Sequence, residues 1–178
     1  MSFFITLIIF VLILAVILYN RLVLARNRVL AAWSDISVQL KRRHDLIPKL
    51  VEAVKYYARY EQATLENVVA LRNASEAANG VDQISLLESD LGRTVHQILA
   101  LAEQYPDLKA NRSFLELQRD ITNVENDIQY ARRFYNGAVK RLNVRIGSFP
   151  DMLVARLFGF RSANYFEIED HDKADVKM

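Results

Sequence analysis

Residues 22–57, LVLARNRVLAAWSDISVQLKRRHDLIPKLVEAVKYY, decide the fold. Taken every seventh residue from Leu22, they give Leu22, Val29, Ile36, Arg43, Leu50 and Tyr57, and the series continues to Thr64 and Leu71. The companion series is Arg26, Trp33, Leu40, Ile47, Val54, Glu61 and Val68. Eleven of these fifteen positions are apolar, a regularity expected of a helix with one buried seam and not of a loop. The phase passes Pro48 without resetting, so one long helix is expected over about 20–73. A bend is expected at Pro48, because proline removes a backbone donor and crowds the carbonyl four residues back, that of His44.

Upstream, Phe3 to Tyr19 (FFITLIIFVLILAVILY) is 17 residues long, and Thr6 is its one clearly polar residue. At about 1.5 Å per residue it spans roughly 26 Å, slightly less than a hydrocarbon core of about 30 Å. A secretory signal needs a basic start and a small-x-small cleavage site. This segment starts Met1-Ser2 and ends with bulky residues up to Asn20. A buried core helix would have to hide apolar side chains on every face. A transmembrane signal anchor over 1–20 is therefore expected, with residues 3–19 in the bilayer. Arg21, Arg26 and Arg28 follow the span closely and nothing basic precedes it except the α-amino group. The positive-inside rule then places the N-terminus outside and the C-terminal domain in the cytoplasm.

Downstream, Asn73 to Asp82 reads as a helix end and a loop, with Asp82 an expected N-cap. Ile84, Leu87, Leu91, Val95, Ile98, Leu101 and Tyr105 then mark a helix of about 82–104, closed by Pro106. Ser113 to Glu116 has the form of a capping box. It opens a helix of about 113–149 with a narrow seam from Phe114 to Leu142. A short apolar segment, 150–160, follows, and 167–178 reads as an acidic disordered tail. No strand pattern occurs. Long amphipathic helices joined by short connections must pack antiparallel. The expected fold is all-α: an N-terminal transmembrane helix followed by an elongated up-and-down antiparallel helical bundle over 21–166.

The composition excludes several chemistries. There are no cysteines, only 5 glycines, and a net charge of +2, which removes thiolate catalysis, phosphate-cradling loops and a broad nucleic-acid surface. His44, His96 and His171 lack metal-ligand spacing. No catalytic residue, cofactor, metal, nucleic acid or small-molecule substrate is expected. His44-Asp45 reads best as structural, with both residues on the flank of the helix and Asp45 complementing the turn before Pro48. Catalysis and a binding face are the competing readings. Arg132 and Arg133 sit among aromatic residues, and core plus solvated charge explains them better than nucleic-acid binding. Met152 to Phe160 is open between packing on the bundle, lying on the bilayer and touching another chain. Candidate interaction residues are thus Arg42, Arg43, His44, Asp45, Arg132, Arg133, Met152, Leu153, Phe158, Phe160, Tyr165 and Phe166, with Pro48 as a hinge.

Three phrases carry a resemblance: residues 19–61 (YNRLVLARNRVLAAWSDISVQLKRRHDLIPKLVEAVKYYARYE), 99–121 (LALAEQYPDLKANRSFLELQRDI) and 131–166 (ARRFYNGAVKRLNVRIGSFPDMLVARLFGFRSANYF). In this order they resemble the bacterial LemA proteins. The shared positions include Trp33, Gln39, Arg42 to Asp45, Pro48, Leu50, Tyr105-Pro106, Arg133 to Asn136, Pro150 and Phe158 to Phe160. The chain departs at a short loop, 75–82, and at its acidic tail. The resemblance implies a single-pass membrane protein of the bacterial inner membrane with a helical-bundle domain and no established enzymatic role. Members are often encoded beside membrane-protease or envelope genes, and relatives act in building magnetosome membranes. The expected function is a self-associating membrane scaffold or adaptor. The alternative is a stoichiometric regulator of a membrane protease or signalling protein, so the expected partners are the bilayer, further copies of the chain, and a membrane protein.

Overall fold

The computed structural model describes residues 1–57 and 61–166. The expected acidic tail lies outside the described residues. Among those described there are six helices and no strand: α1 (Ser2–Lys55), α2 (Gln62–Ala77), α3 (Val81–Ala102), α4 (Pro106–Lys109), α5 (Arg112–Gly147) and α6 (Asp151–Leu157). The described residues divide into two compact units, Met1–Ile36 with Ala131–Tyr165, and Ser37–Tyr130 with Phe166. Both α1 and α5 contribute to each.

In the first unit α1 begins with the apolar segment, which has a mean hydropathy of 3.0 over its best window and is almost wholly exposed. That exposure removes the buried-core-helix reading and points to a membrane anchor. From Leu18 the helix acquires a buried face of Leu18, Leu22, Ala25, Val29, Ala32 and Ile36. Opposite it α5 buries Tyr135, Ala138, Val139 and Leu142. Trp33 meets Tyr135 at 5.5 Å between ring centroids, while Arg21 and Ala25 share a groove with Arg145 and Ser148, so the two helices run antiparallel. The chain after α6 is tied back to α5. Asn143 Nδ2 donates to Ala163 O, the Ala163 amide donates to Asn143 Oδ1, and Tyr135 Oη donates to Asn164 O, all at 2.9 Å.

The second unit is a four-helix bundle. Ile47, Leu50 and Val54 of α1, Leu65 and Val68 of α2, Leu91, Val95 and Ile98 of α3, and Phe114, Leu117 and Ile121 of α5 form one core, with Leu108 of α4 at its edge. Each fully buried aliphatic side chain contributes about 1.5–3 kcal/mol. Directions follow from pairings: Val51 and Lys55 share a groove with Asn73 and Gln62, and Ala53 and Lys49 share one with Phe114 and Asp120. Consecutive long helices therefore run up, down, up and down.

Several boundaries differ from expectation. The helix expected over 20–73 ends at Lys55, turns at Tyr56–Tyr57, and resumes as α2. The heptad phase survives because both arms of this hairpin bury the same period, and the turn carries no glycine or proline to announce it. The seam fails at its polar positions, Glu61 and Thr64, which frame the start of α2. That helix continues through the expected loop start to Ala77. Asp82 lies in the first turn of α3, and Gly80 is the N-cap. The capping box at Ser113 is replaced by Asn111, whose Oδ1 accepts from the Ser113 and Phe114 amides and starts the helix earlier.

Candidate functional site

The stretch Arg42-Arg43-His44 does not remain on the flank of α1. Arg43 occupies the seam position that the heptad assigns to it, and His44 turns inward beside it, leaving them 4% and 6% exposed. Flanking placement was therefore wrong for His44. The cause lies on α3, where Glu88 replaces an apolar seam residue and is 1% exposed. A buried charge requires compensation, and both α1 residues supply it. His44 Nε2 donates to Glu88 Oε1 at 2.6 Å, and Ser75 Oγ of α2 donates to the same oxygen. Arg43 Nη1 lies 3.3 Å from Glu88 Oε2, and Arg43 Nη2 donates to the Glu88 carbonyl at 3.0 Å. Glu125 of α5 stands 3.1 Å from Arg43 Nε. Four helices thus meet at one polar cluster in the second unit.

Two backbone features make room for it. A Cβ on Gly92 would lie 2.7 Å from Arg43 Nη2, so glycine lets the guanidinium rest against α3. Pro48, exposed and inside an unbroken helix, leaves the His44 carbonyl without its usual i+4 donor. Arg72 of α2 supplies the replacement, its Nε donating to His44 O at 3.0 Å. Arg72 also pairs with Glu76 at 2.9 Å, and Glu76 lies 3.6 Å from His44 Nδ1. The proline expected as a hinge frees a carbonyl that serves as an attachment point between α1 and α2.

Burial pushes the Glu88 carboxyl up, but the hydrogen bond from His44, the charge of Arg43 and the hydrogen bond from Ser75 outweigh it. The net position is below the ordinary 4.5. Glu88 is held ionised, with Oε1 hydrogen-bonded to His44 and Ser75 and Oε2 in an ion pair with Arg43 but without a hydrogen bond of its own. No group among the described residues combines three or more His, Cys, Asp or Glu side chains in a metal-holding arrangement. A groove of about 950 Å³ between α1 and α2 is lined by Val51, Leu65 and Val69, with no member of the polar cluster on its walls. The arrangement is suited to holding helices in register.

The other candidates are dispersed. Arg42 is exposed and pairs with Asp127 at 3.1 Å, a surface contact worth about 0–1 kcal/mol. Asp45 is exposed. Arg132 and Arg133 lie on the α5 part of the first unit, half-buried and exposed. The apolar segment 150–160 splits its faces: Val154 and Ala155 bury against Leu18 and Leu22, Met152 is half-buried, and Leu153 and Phe158 are exposed. Phe160 is half-buried and packs on Tyr19, as does Phe158, at 5.8 and 4.8 Å. Tyr165 is exposed and Phe166 buried. Sequence reasoning missed Ser75, Glu88, Gly92 and Glu125. The available signal was Arg43 in a seam, which demands an acid in a facing seam, and Glu88 keeps the spacing of Ile84, Leu91 and Val95.

Protein LemA of Metamycoplasma hominis is 28% identical over 160 residues, which cover 88% of this chain and 72% of the relative. Magnetosome protein MamQ 2 of Paramagnetospirillum magneticum and magnetosome protein MamQ of Magnetospirillum gryphiswaldense are each 24% identical, over 84% and 83% of this chain. In both cases the match spans 64% of the MamQ protein's own length. None of these names denotes an enzyme. The model of the LemA family matches residues 32–178, and the chain belongs to that family.

Proposed function

We propose that the protein is a non-enzymatic, membrane-anchored helical scaffold of the bacterial cell envelope that associates with further copies of itself. The observation that carries this reading is α1: one unbroken helix holds both the exposed apolar span and the core residues Ile47, Leu50 and Val54. A buried polar cluster whose charges are paired with one another across the helices supports a structural role over catalysis. Self-association has a candidate surface on the same helix. Ile17, Leu24, Ala31 and Val38 recur every seven residues and all are exposed, the spacing by which helices of separate chains pair. The anchor is read as spanning the inner membrane, and the basic residues after the span support an orientation with the C-terminal part in the cytoplasm.

Native mass measurement of the full chain in lipid nanodiscs tests the reading. Oligomers are expected, and Leu24→Glu with Ala31→Glu should reduce them to monomers while helix content holds. A monomer at every concentration in the unsubstituted chain would end the scaffold reading. One foreign membrane protein at fixed stoichiometry would favour the regulator instead.

A further inference from the structure

Just beyond the apolar span, the first unit contains a basic groove that the scaffold reading does not use. It has a volume of about 430 Å³ and is walled by Arg21, Ala25 and Arg28 of α1 and by Lys140, Arg141, Val144 and Arg145 of α5. Five cations face one carboxylate, that of Asp151, which is committed to Arg145 at 3.1 Å. Among the described residues no carboxylate pairs with Arg21, Arg28, Lys140 or Arg141. Four such charges on adjacent helices repel one another, and an anion in the groove relieves that repulsion.

The depth of the groove is set by the chain itself. Arg21 is two residues past Tyr19, about 3 Å along the helix axis, and Arg28 about 14 Å. The polar layer of a bilayer leaflet is about 5–8 Å thick, so the groove opens in that layer at Arg21 and runs about 6 Å beyond its outer edge to Arg28, whose long side chain can reach back toward the headgroups. The aromatic contacts of Tyr19 with Phe158 and Phe160 mark the same level, where aromatic side chains collect at membrane surfaces. Beside them α6 exposes Leu153 and Leu157, apolar groups suited to the acyl boundary.

We propose that this groove binds the phosphate of an anionic phospholipid headgroup from the leaflet in which α1 ends. Arg21 and Arg28 approach the phosphate from α1, and Lys140 and Arg141 from α5, so lipid binding bridges the two helices. The inference rests on the membrane-anchor reading.

The full chain is reconstituted into phosphatidylcholine nanodiscs containing trace spin-labelled phosphatidylglycerol or spin-labelled phosphatidylcholine. Electron spin resonance reads the lipid immobilised by the protein. The expected result is a preference of about fivefold or more for phosphatidylglycerol, falling to within about twofold in Arg28→Gln/Lys140→Gln/Arg141→Gln. A matched variant in the second unit, Lys49→Gln/Lys109→Gln/Arg119→Gln, should retain the preference. Equal loss in the two variants overturns the groove as a site, because the attraction is then diffuse. Displacement of the labelled lipid by millimolar inorganic phosphate overturns the lipid assignment in favour of a free anion. A protein that enters the nanodisc with no preference overturns the groove alone, whereas failure to enter at all overturns the anchor reading and the groove with it.

Discussion

Along α1 the buried face changes character between the two units. In the first it is Leu18, Leu22, Ala25, Val29, Ala32 and Ile36, apolar throughout; in the second Arg43 and His44 stand between Leu40 and Ile47. An apolar heptad buries area well but fits its partner almost as well one turn, about 5.4 Å, along. A buried charge does not, because a shift of one turn separates Arg43 from Glu88 and leaves both uncompensated in the core. The first unit is held mainly by area. The second is held by area and a register set by the polar cluster.

The strongest way to break this contrast is Arg43→Ala. It should destabilise the second unit by about 3–5 kcal/mol, because Glu88 loses its cation while buried. Hydrogen exchange would show the loss in peptides of α3 well before those of residues 131–147. Leu22→Ala is the counterpart in the first unit, with an expected cost of about 2–5 kcal/mol and the opposite pattern of exchange.

A smaller effect sharpens the account of Pro48. Arg72→Met should cost about 1–3 kcal/mol by orphaning the His44 carbonyl. In a Pro48→Ala background, where residue 48 regains an amide, the same substitution should cost less than half as much in urea unfolding. Pro48→Ala by itself should leave the fold intact, and the bend expected from the proline is tested by a longer distance in the variant between spin labels at positions 31 and 55. The smallest effect is expected from pH. Because the Glu88 carboxyl titrates below its ordinary 4.5 in the folded protein, the unfolded chain takes up its proton first as pH falls. Stability from this group is complete above about 4.5 and is lost on acidification through the folded value. Urea midpoints should fall below pH 4.5, and Glu88→Gln should flatten that decline.

The helical class, the apolar span and the seams of α3 and α5 were legible in the sequence because each rests on a period repeated over many residues. The turn after Lys55 was not, since it has no breaker and both flanking helices share a phase. The polar cluster was half legible. Arg43 in a seam declared that something unusual was buried, but its partners Glu88 and Glu125 lie 45 and 82 residues away on two other helices, and periodicity within one helix does not reveal which faces meet. Asn111 took the capping role from Ser113 for a local reason: its short amide reaches two amides of the first turn.

The double-mutant cycle of Arg43→Met and Glu88→Leu, measured by urea unfolding of the full chain in detergent, tests the role of the cluster most directly. Each single variant should be strongly destabilised. The double variant should recover most of the loss, giving a coupling of about 2–3 kcal/mol. Additive losses, with coupling below about 0.5 kcal/mol, would show that the two charges are independent and contradict the account of a cluster that holds the helices in register.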